Sequence, residues 1–583
     1  MECYLVVLET SGNQAYVFAT NKLKENVGAS ELTRRAGTEW VLEAVARQTG
    51  RQSLYRDDPV EQKKVLINPA LNPHIETEGA MVEVVEAISG KAILLVKDEK
   101  AAKAIVQHVT QKALDEAPGI DVKGAVAGFE WNEPGSVAKG LKKAYRRYEE
   151  LRTSMHGPES RFLRLPFVAE CASSGMPAAG VDKDGVPVSL QTVAKREPAK
   201  DVHDAVSRQW APEGWTFAYN LDKADWMAVV HADGNGLGQV FMNFENYCGS
   251  PIPVDNRKYV DTLRRFSCAV DVCTHKAFKE AVNSIVDIAA KVPQDKMGPR
   301  NVLPLRPLVL GGDDMTVACD AQLVMSFVKK YLEQFEVETA CDEDTKAVAA
   351  RMTHGDMANA WLSAGAGIAI VKSHYPFYAA YNLAEELASR AKNVVKEVMR
   401  HPNGGIWPCS TVDFHVLHDS SATELDEIRR KLRVDDGVTL LYGTPYVITP
   451  SANFEQAPLE TEQKAWLGLH AWGRLTMRAD VLREKDEDGR RILPNSQIHE
   501  LRASLFKGRG TADAALQLIE HRYAEAKISK LLEKPTTEGE HTLFALDRKD
   551  TYVTLLLDAM EAEAFLPTEN DNKTKGASND QAQ

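Results

Sequence analysis

The chain has 583 residues, 44% hydrophobic and 26% charged, with a formal net charge of −13. That length and balance fit a globular protein of roughly three to four domains with sizeable cores. The acidic excess rules out a globally basic nucleic-acid surface and leaves only a local groove open.

The eight cysteines, Cys3, Cys171, Cys248, Cys268, Cys273, Cys319, Cys341 and Cys409, are scattered without a CxxC pair. Neither a zinc ribbon nor a disulfide framework is indicated. The opening MECYLVVLET has no basic segment and no long apolar core, so it is not read as a signal peptide. No apolar run approaches the ~20 residues of a membrane span. The cytoplasm is the expected compartment, and no membrane partner is expected.

In chain order, Cys3–Leu8 reads as a buried strand and Thr10–Gln14 as a turn. Ser30 is a plausible N-cap for a helix through about Gln48. Val82–Ile88 and Ala92–Val96 around Ser89-Gly90-Lys91 predict a hairpin. A helix over Glu99–Leu114 and a strand over Ile120–Trp131 complete a β-α-β-β-α-β order, the ferredoxin-like pattern, over residues 1–131. Residues 132–220 read as a connecting domain, with a helix over Ser136–Leu151 and the turn Cys171-Ala172-Ser173-Ser174-Gly175.

The same element order repeats over residues 221–400. Trp226–Val230 is a strand that runs into His231-Ala232-Asp233-Gly234-Asn235. A long helix is predicted over roughly Asp255–Val292. The stretch Leu303–Asp320, LPLRPLVLGGDDMTVACD, then reads as a hairpin with Gly311-Gly312-Asp313-Asp314 at its tip. The acidic run Glu336–Asp344 is expected to be a solvated loop. The helix after Pro376 buries Ala380, Leu383, Ala384, Leu387, Ala388 and Ala391 at 3–4 spacing and carries Lys392, Lys396 and Arg400 in a column. Residues 401–566 are expected to form a mainly helical C-terminal domain, with strands over Thr411–Leu417 and Val438–Tyr442 and helices over Leu459–Leu482, Ser496–Phe506, Ala512–Leu532 and Tyr552–Phe565. The polar tail 567–583 is expected to be disordered. The fold class is therefore α+β, with two palm-like units, a connecting domain and a helical C-terminal domain.

Chemistry concentrates in the second unit. Mg²⁺ takes oxygen ligands, commonly a few carboxylates together with substrate phosphates and water. Asp233 at a strand end and Asp313 and Asp314 at a neighbouring hairpin tip would supply such ligands. Gly311 and Gly312 permit a tight turn and leave room for a phosphate. Taken alone, the hairpin tip also reads as an ordinary acidic turn.

The GGDD hairpin, the preceding strand-Asp-Gly and the segment SAGAGIAIVKSHYPFYAAYNLAEELASRAK (Ser363–Lys392) together resemble the palm domain of nucleotidyl cyclases and polymerases. More narrowly, they are similar to the large polymerase-cyclase subunit of type III CRISPR effector complexes, in a Cmr-type form without the HD nuclease domain. The resemblance implies a nucleotidyltransferase that converts ATP to cyclic oligoadenylate with Mg²⁺ or Mn²⁺. It also implies other effector subunits and guide or target RNA as partners. It places Asp233, Asp313 and Asp314 at the metal and the chemistry, and Gly311, Gly312, Gly234, Asn235 and Lys392 at the nucleotide, Lys392 on a phosphate. The first palm would be degenerate, with Ser11, Gly12 and Asn13 facing ligand across from the GGDD hairpin.

Three departures from the family pattern stand out. Asn235 replaces a usual second aspartate. Ser174 replaces the second cysteine of a CxxCG zinc motif, so no zinc is expected. The dipeptides His203-Asp204 and His418-Asp419 lack the companions an HD nuclease needs, and no DNase activity is expected. The residues also remain compatible with a GTP-using, diguanylate-cyclase-like enzyme or with a catalytically silent structural subunit.

Overall fold

The computed structural model describes residues 1–291, 301–353, 360–400, 406–418, 424–455, 457, 459–523, 527–533, 542–548 and 550–566. The expected tail disorder lies outside the described residues.

The first unit opens on β1 (Glu2–Ser11). Gly12 then takes a left-handed turn, φ 65°, into the short α1 (Asn13–Phe18). Helices α2 (Leu23–Gly37) and α3 (Glu39–Thr49) meet at Thr38. Ser30 lies inside α2 and caps nothing. The chain enters the helical segment earlier than its capping signal suggested, because α2 buries Val27, Ala29 and Leu32. Helix α4 (Pro59–Ile67) is capped by Asp58, which accepts from the Glu61 amide. The hairpin β2 (Val82–Ile88) and β3 (Lys91–Val96), α5 (Glu99–Glu116) and β4 (Asp121–Glu130) complete the unit. The sheet order is β2-β3-β1-β4, antiparallel throughout, with Tyr4 opposite both Val96 and Gly128. Successive β1 side chains point to opposite faces. Val6 and Leu8 pack with α2, α3 and α5, whereas Leu5 and Val7 pack towards the following domains.

The connection runs through α6 (Ser136–Ser154), the small hairpin β5 (Gly180–Val181) and β6 (Pro187–Val188), α7 (Leu190–Arg196), α8 (Ala199–Trp210) and β7 (Thr216–Phe217).

The second unit contains β8 (Trp226–Gly234), α9 (Leu237–Met242), the long α10 (Asn256–Ser284), α11 (Val286–Ala289) and β9 (Val302–Leu303). The hairpin β10 (Leu305–Gly311) and β11 (Asp314–Asp320) follows, then α12 (Ala321–Cys341), α13 (Glu343–Met352), β12 (Ala364–Lys372) and α14 (Phe377–Val398). Its four strands keep the order of the first unit, β10-β11-β8-β12. Ala228, Val230 and Ala232 of β8 pack with α10 and α12, while Met227 and Val229 pack with α14 and with the core of the first unit.

The boundary expected at residue 400 falls inside this sheet. β13 (Thr411–Val416) pairs in parallel with β12, Gly365 opposite Thr411 through Ile370 opposite Val416, and residues Tyr446–Val447 add a sixth strand. α14 supplies the crossover that a parallel pair requires. Beyond it, the helices Thr461–Leu469, Trp472–Arg483, Asn495–Leu505, Arg509–Arg522 and Leu556–Ala562 surround a small sheet that includes Thr439–Leu440 and Tyr552–Val553. The helix expected over Tyr552–Phe565 thus begins as a strand. Among the described residues no helix is long and apolar enough to cross a membrane.

The acidic run Glu336–Asp344 is not a loop. Glu336 to Cys341 closes α12, and Asp342 caps α13 by accepting from the Asp344 and Thr345 amides. The Glu336 side chain is buried, and its carboxylate accepts from the Ser410 amide at 3.0 Å and the Thr449 hydroxyl at 2.6 Å.

Candidate active site between the two palm sheets

The site grows from the end of β8. Asp233 and His231 share a face of that strand, because alternate residues do. Gly234 has no room for a side chain, since a Cβ there would sit 2.8 Å from Asp313 Oδ2 and 2.5 Å from Leu237 Cδ1. Its glycine lets the hairpin tip close onto the strand. The tip is held from behind by α10: the Gly312 amide donates to Asp271 Oδ1 at 2.8 Å, and the Thr274 hydroxyl donates to the Gly312 carbonyl at 2.7 Å. Gly312 has φ 63°, the left-handed conformation the turn demands.

This brings Asp233, Asp313 and Asp314 together, with one carboxylate oxygen from each within 4.8 Å of the others. Burial and the Asp233 charge push the Asp313 carboxyl up to about 7. Burial and the two neighbouring carboxylates hold Asp314 well above the usual range. Asp233 also loses solvation, but the Lys392 ammonium overrides this and keeps it below its ordinary value. Carboxyls raised first by burial and then by neighbouring negative charge are what a cluster of hard oxygen donors shows before a cation neutralises it. The donor set fits Mg²⁺ or Mn²⁺, and Asp233, Asp313 and Asp314 are the residues that would hold it.

Lys392 forms an ion pair with Asp233. In this structure its ammonium is engaged by the carboxylate, so the phosphate contact implied by the resemblance would require it to be shared. Two glycines on β12 set its reach. A Cβ on Gly365 would meet Lys392 Cγ at 2.5 Å, and one on Gly367 would meet the Ala384 carbonyl oxygen at 2.0 Å and the Ala388 nitrogen at 2.4 Å. α14 therefore lies directly on the strand.

A cavity of about 1240 Å³ opens beside these groups, and residues of the first unit line its far side. Gly12 and Asn13 line it together with Ser89, His231, Asp233 and Asp314. The Asn13 Oδ1 is buried and accepts no hydrogen bond among the described residues. Ser11 is engaged elsewhere, its hydroxyl donating to Asp121 Oδ2 at 2.5 Å. Asn235 is engaged elsewhere through its amide nitrogen, which donates to Ser363 Oγ at 3.0 Å and to the Cys409 carbonyl at 3.1 Å. It ties the strand end to β12 and to the start of β13, so replacement of an acid here builds a structural link. Gly311 faces Ser89 of the first palm, whose Cβ would lie 3.0 Å from an added Cβ. That space is filled by protein and does not admit a phosphate.

Sequence reasoning passed over several lining residues. His231 Nδ1 lies 3.1 Å from the Thr316 hydroxyl, its cross-strand partner. Tyr381 of α14 stacks on Phe18 of α1 with ring centroids 3.8 Å apart, and Gln14 donates to Glu385. These contacts bridge α1 and α14 along the cavity wall. For His231 a signal existed, its position two residues before Asp233. For the α1–α14 contacts there was none, because the partners lie more than 360 residues apart.

Neither HD dipeptide joins the site. His203 accepts from Arg306 and packs edge-on against Tyr219 at 5.1 Å. His418 packs against Trp226 at 5.5 Å, and Asp419 lies outside the described residues.

Residues 226–399 match the family model of the Cas10/Cmr2 second palm domain. No curated protein matches the chain in sequence. Among solved structures, the crystal structure of a Csm1-Csm4 cassette in complex with cA4 matches at 13% identity and a TM-score of 0.38, covering 83% of this chain and 63% of that chain. The same cassette with cA3 gives 13%, 0.41, 87% and 65%. A type III-B Cmr-beta complex in its apo state, seen by cryo-EM, gives 10%, 0.47, 96% and 81%. This chain spans less than two thirds of the matched chains in the two cassette structures. The similarity that these comparisons establish is that of the segment from Trp226 to Met399 to the Cas10/Cmr2 second palm domain.

Proposed function

We propose that the chain is a nucleotidyltransferase that joins ATP into cyclic oligoadenylate, working as the large subunit of a type III CRISPR effector complex with guide and target RNA. The observation that carries this reading is the convergence of Asp233, Asp313 and Asp314 beside a cavity that Asp233 and Asp314 line from one side and residues of the first unit, Gly12 and Asn13 among them, from the other. A cavity of about 1240 Å³ has room for more than one nucleotide, which oligomerisation requires. The matched structures include cassettes holding cA3 and cA4, in keeping with such a product.

In the proposed reaction the 3′-hydroxyl of one nucleotide attacks the α-phosphorus of the next. The new O3′–P bond forms as the bond to pyrophosphate breaks, and the hydroxyl proton must leave. Positioning and electrostatics carry most of such a transfer. A bound Mg²⁺ would offset charge on the phosphates and on the departing pyrophosphate. Asp314, held above the usual carboxylate range, either helps bind that ion or takes up the hydroxyl proton. Lys392 supplies the cationic side of the site and keeps Asp233 ionised. Gly12 and Asn13, with their backbone at the start of α1, present polar groups to a second nucleotide.

The test is replacement of Asp313 and Asp314 together by alanine. Oligonucleotide formation from ATP, read by chromatography in the presence of candidate subunits and target RNA, should vanish while circular dichroism stays unchanged. Product at the wild-type rate would refute the assignment. A GTP arm in the same assay decides the base.

A further inference from the structure

Two short turns converge at the base of the β5–β6 hairpin in the connecting domain. In the first, Gly175 takes φ 64°, its amide donates to the Cys171 carbonyl at 2.9 Å, and the Cys171 amide donates to the Met176 carbonyl at 2.8 Å. In the second, Ser189 opens α7 and its hydroxyl accepts from the Thr192 amide at 3.2 Å. The four side chains meet. Cys171 Sγ lies 3.3 Å from Thr192 Oγ1, Ser189 Oγ donates to Thr192 Oγ1 at 3.1 Å, and Ser174 Oγ lies 3.0 Å from Ser189 Oγ. Cys171, Ser189 and Thr192 are each no more than 2% exposed.

Pairs at i, i+3 on either side of a small hairpin are the layout of a tetrahedral zinc ribbon. Zinc in such a site takes thiolate or imidazole, and three of the four positions here are neutral hydroxyls, so the residues do not fit the metal. They satisfy one another instead. We propose that the Cys171–Thr192–Ser189–Ser174 hydrogen-bonded cluster replaces a metal as the cross-link of this ribbon and thereby fixes α7 against the first palm. This proposal is independent of the proposed reaction.

The next turn of α7 shows what the cross-link holds. Lys195 is 2% exposed and donates to the Tyr16 carbonyl of α1 at 2.5 Å. Arg196 pairs at 2.8 Å with Glu25 of α2, which also accepts from the Ser173 hydroxyl at 2.5 Å. Gly28 lies so close to the Lys195 carbonyl that an added Cβ would overlap it, at 1.6 Å. α7 is thus sealed onto the helices that begin at Gly12 and Asn13.

The test rebuilds the metal site. The triple variant S174C/S189C/T192C should bind one Zn²⁺ per chain, and with Co²⁺ it should show the thiolate charge-transfer absorption of a tetrahedral site. Wild type at the same free metal should bind none and should melt at the same temperature with or without chelator. A folded triple variant that takes up no more metal than wild type would overturn the proposal, as would wild type that carries stoichiometric zinc and loses stability on chelation. A second variant covers failure of the first to fold. Thr192→Val keeps the shape and removes the shared hydroxyl, so it should lower the melting temperature by several degrees and speed hydrogen exchange at Tyr16–Phe18 at least tenfold, with Thr192→Ser restoring both. An unchanged exchange rate in Thr192→Val would also overturn it.

Discussion

Gly367→Ala is a one-atom perturbation whose consequence can be worked from the packing of α14 on β12. The added Cβ would lie 2.0 Å from the Ala384 carbonyl oxygen, and ordinary contact begins at 3.4 Å, so the gap must grow by about 1.4 Å. Both nearest atoms, Ala384 O and Ala388 N, are helix backbone, so no side-chain rotation relieves the clash and the helix itself must retreat. Overpacking of this kind costs about 1–3 kcal/mol. For a domain of this size each kcal/mol lowers the melting temperature by about 2–4 °C. The same retreat draws Lys392 away from Asp233, and on the proposed reading a displacement of about 1 Å in a group that positions substrate costs on the order of 100-fold in rate. Calorimetry measures the first effect, and nucleotide binding with product formation measures the second. Gly468→Ala is the control, a helical glycine with open space around it, and it should be neutral or slightly stabilising. A Gly367→Ala protein with wild-type melting and wild-type nucleotide affinity would refute the close-packing account of Lys392.

Further outcomes follow from the charges. Lys392→Met removes the cation from a cluster of three carboxylates, so Mn²⁺ should bind more tightly while triphosphate binds at least tenfold more weakly. Parallel loss of both in titration would mean that Lys392 acts only by holding the strand. Glu336 is an acid held at about 7 by burial, against the opposing pull of its Ser410 and Thr449 donors. Its folded value exceeds the ordinary ~4.3, so the folded state binds the extra proton between those limits, and stability falls as pH rises from about 4.5 to about 7. Glu336→Gln should remove that slope and, relative to wild type, gain up to about 3 kcal/mol at pH 8 with little change near pH 4.5. Denaturant unfolding at both pH values checks this, and equal slopes for the two proteins would refute it.

What the sequence made legible was local. The GGDD hairpin announces itself by two apolar runs around a glycine turn. α10 begins where the long helix was expected, and there the Asp255 side chain accepts from the Lys258 amide at 2.8 Å. Non-local choices were not legible. Glu336 looks solvated in an acidic run, yet it is buried because its partners, Ser410 and Thr449, arrive from 74 and 113 residues away. Asn235 looks like a lost acid at the nucleotide, but Ser363 and Cys409 claim its amide nitrogen. Thr411–Val416 reads correctly as a strand, but no local pattern says that it joins the sheet of the preceding unit. Ser189 and Thr192 carry no thiol, so nothing in the chain links them to Cys171 before folding does.

The contact between the two hairpin tips has a consequence for tolerance to change. Ser89, held at φ 41°, occupies the space that Gly311 leaves vacant, so the constraint on position 311 comes from the neighbouring palm as much as from its own turn. The two glycines of the motif therefore answer to different masters: Gly312 to its backbone angle, Gly311 to a neighbour more than two hundred residues upstream. Drift at either tip is coupled, and a larger residue at 311 becomes acceptable only when the opposing hairpin yields ground.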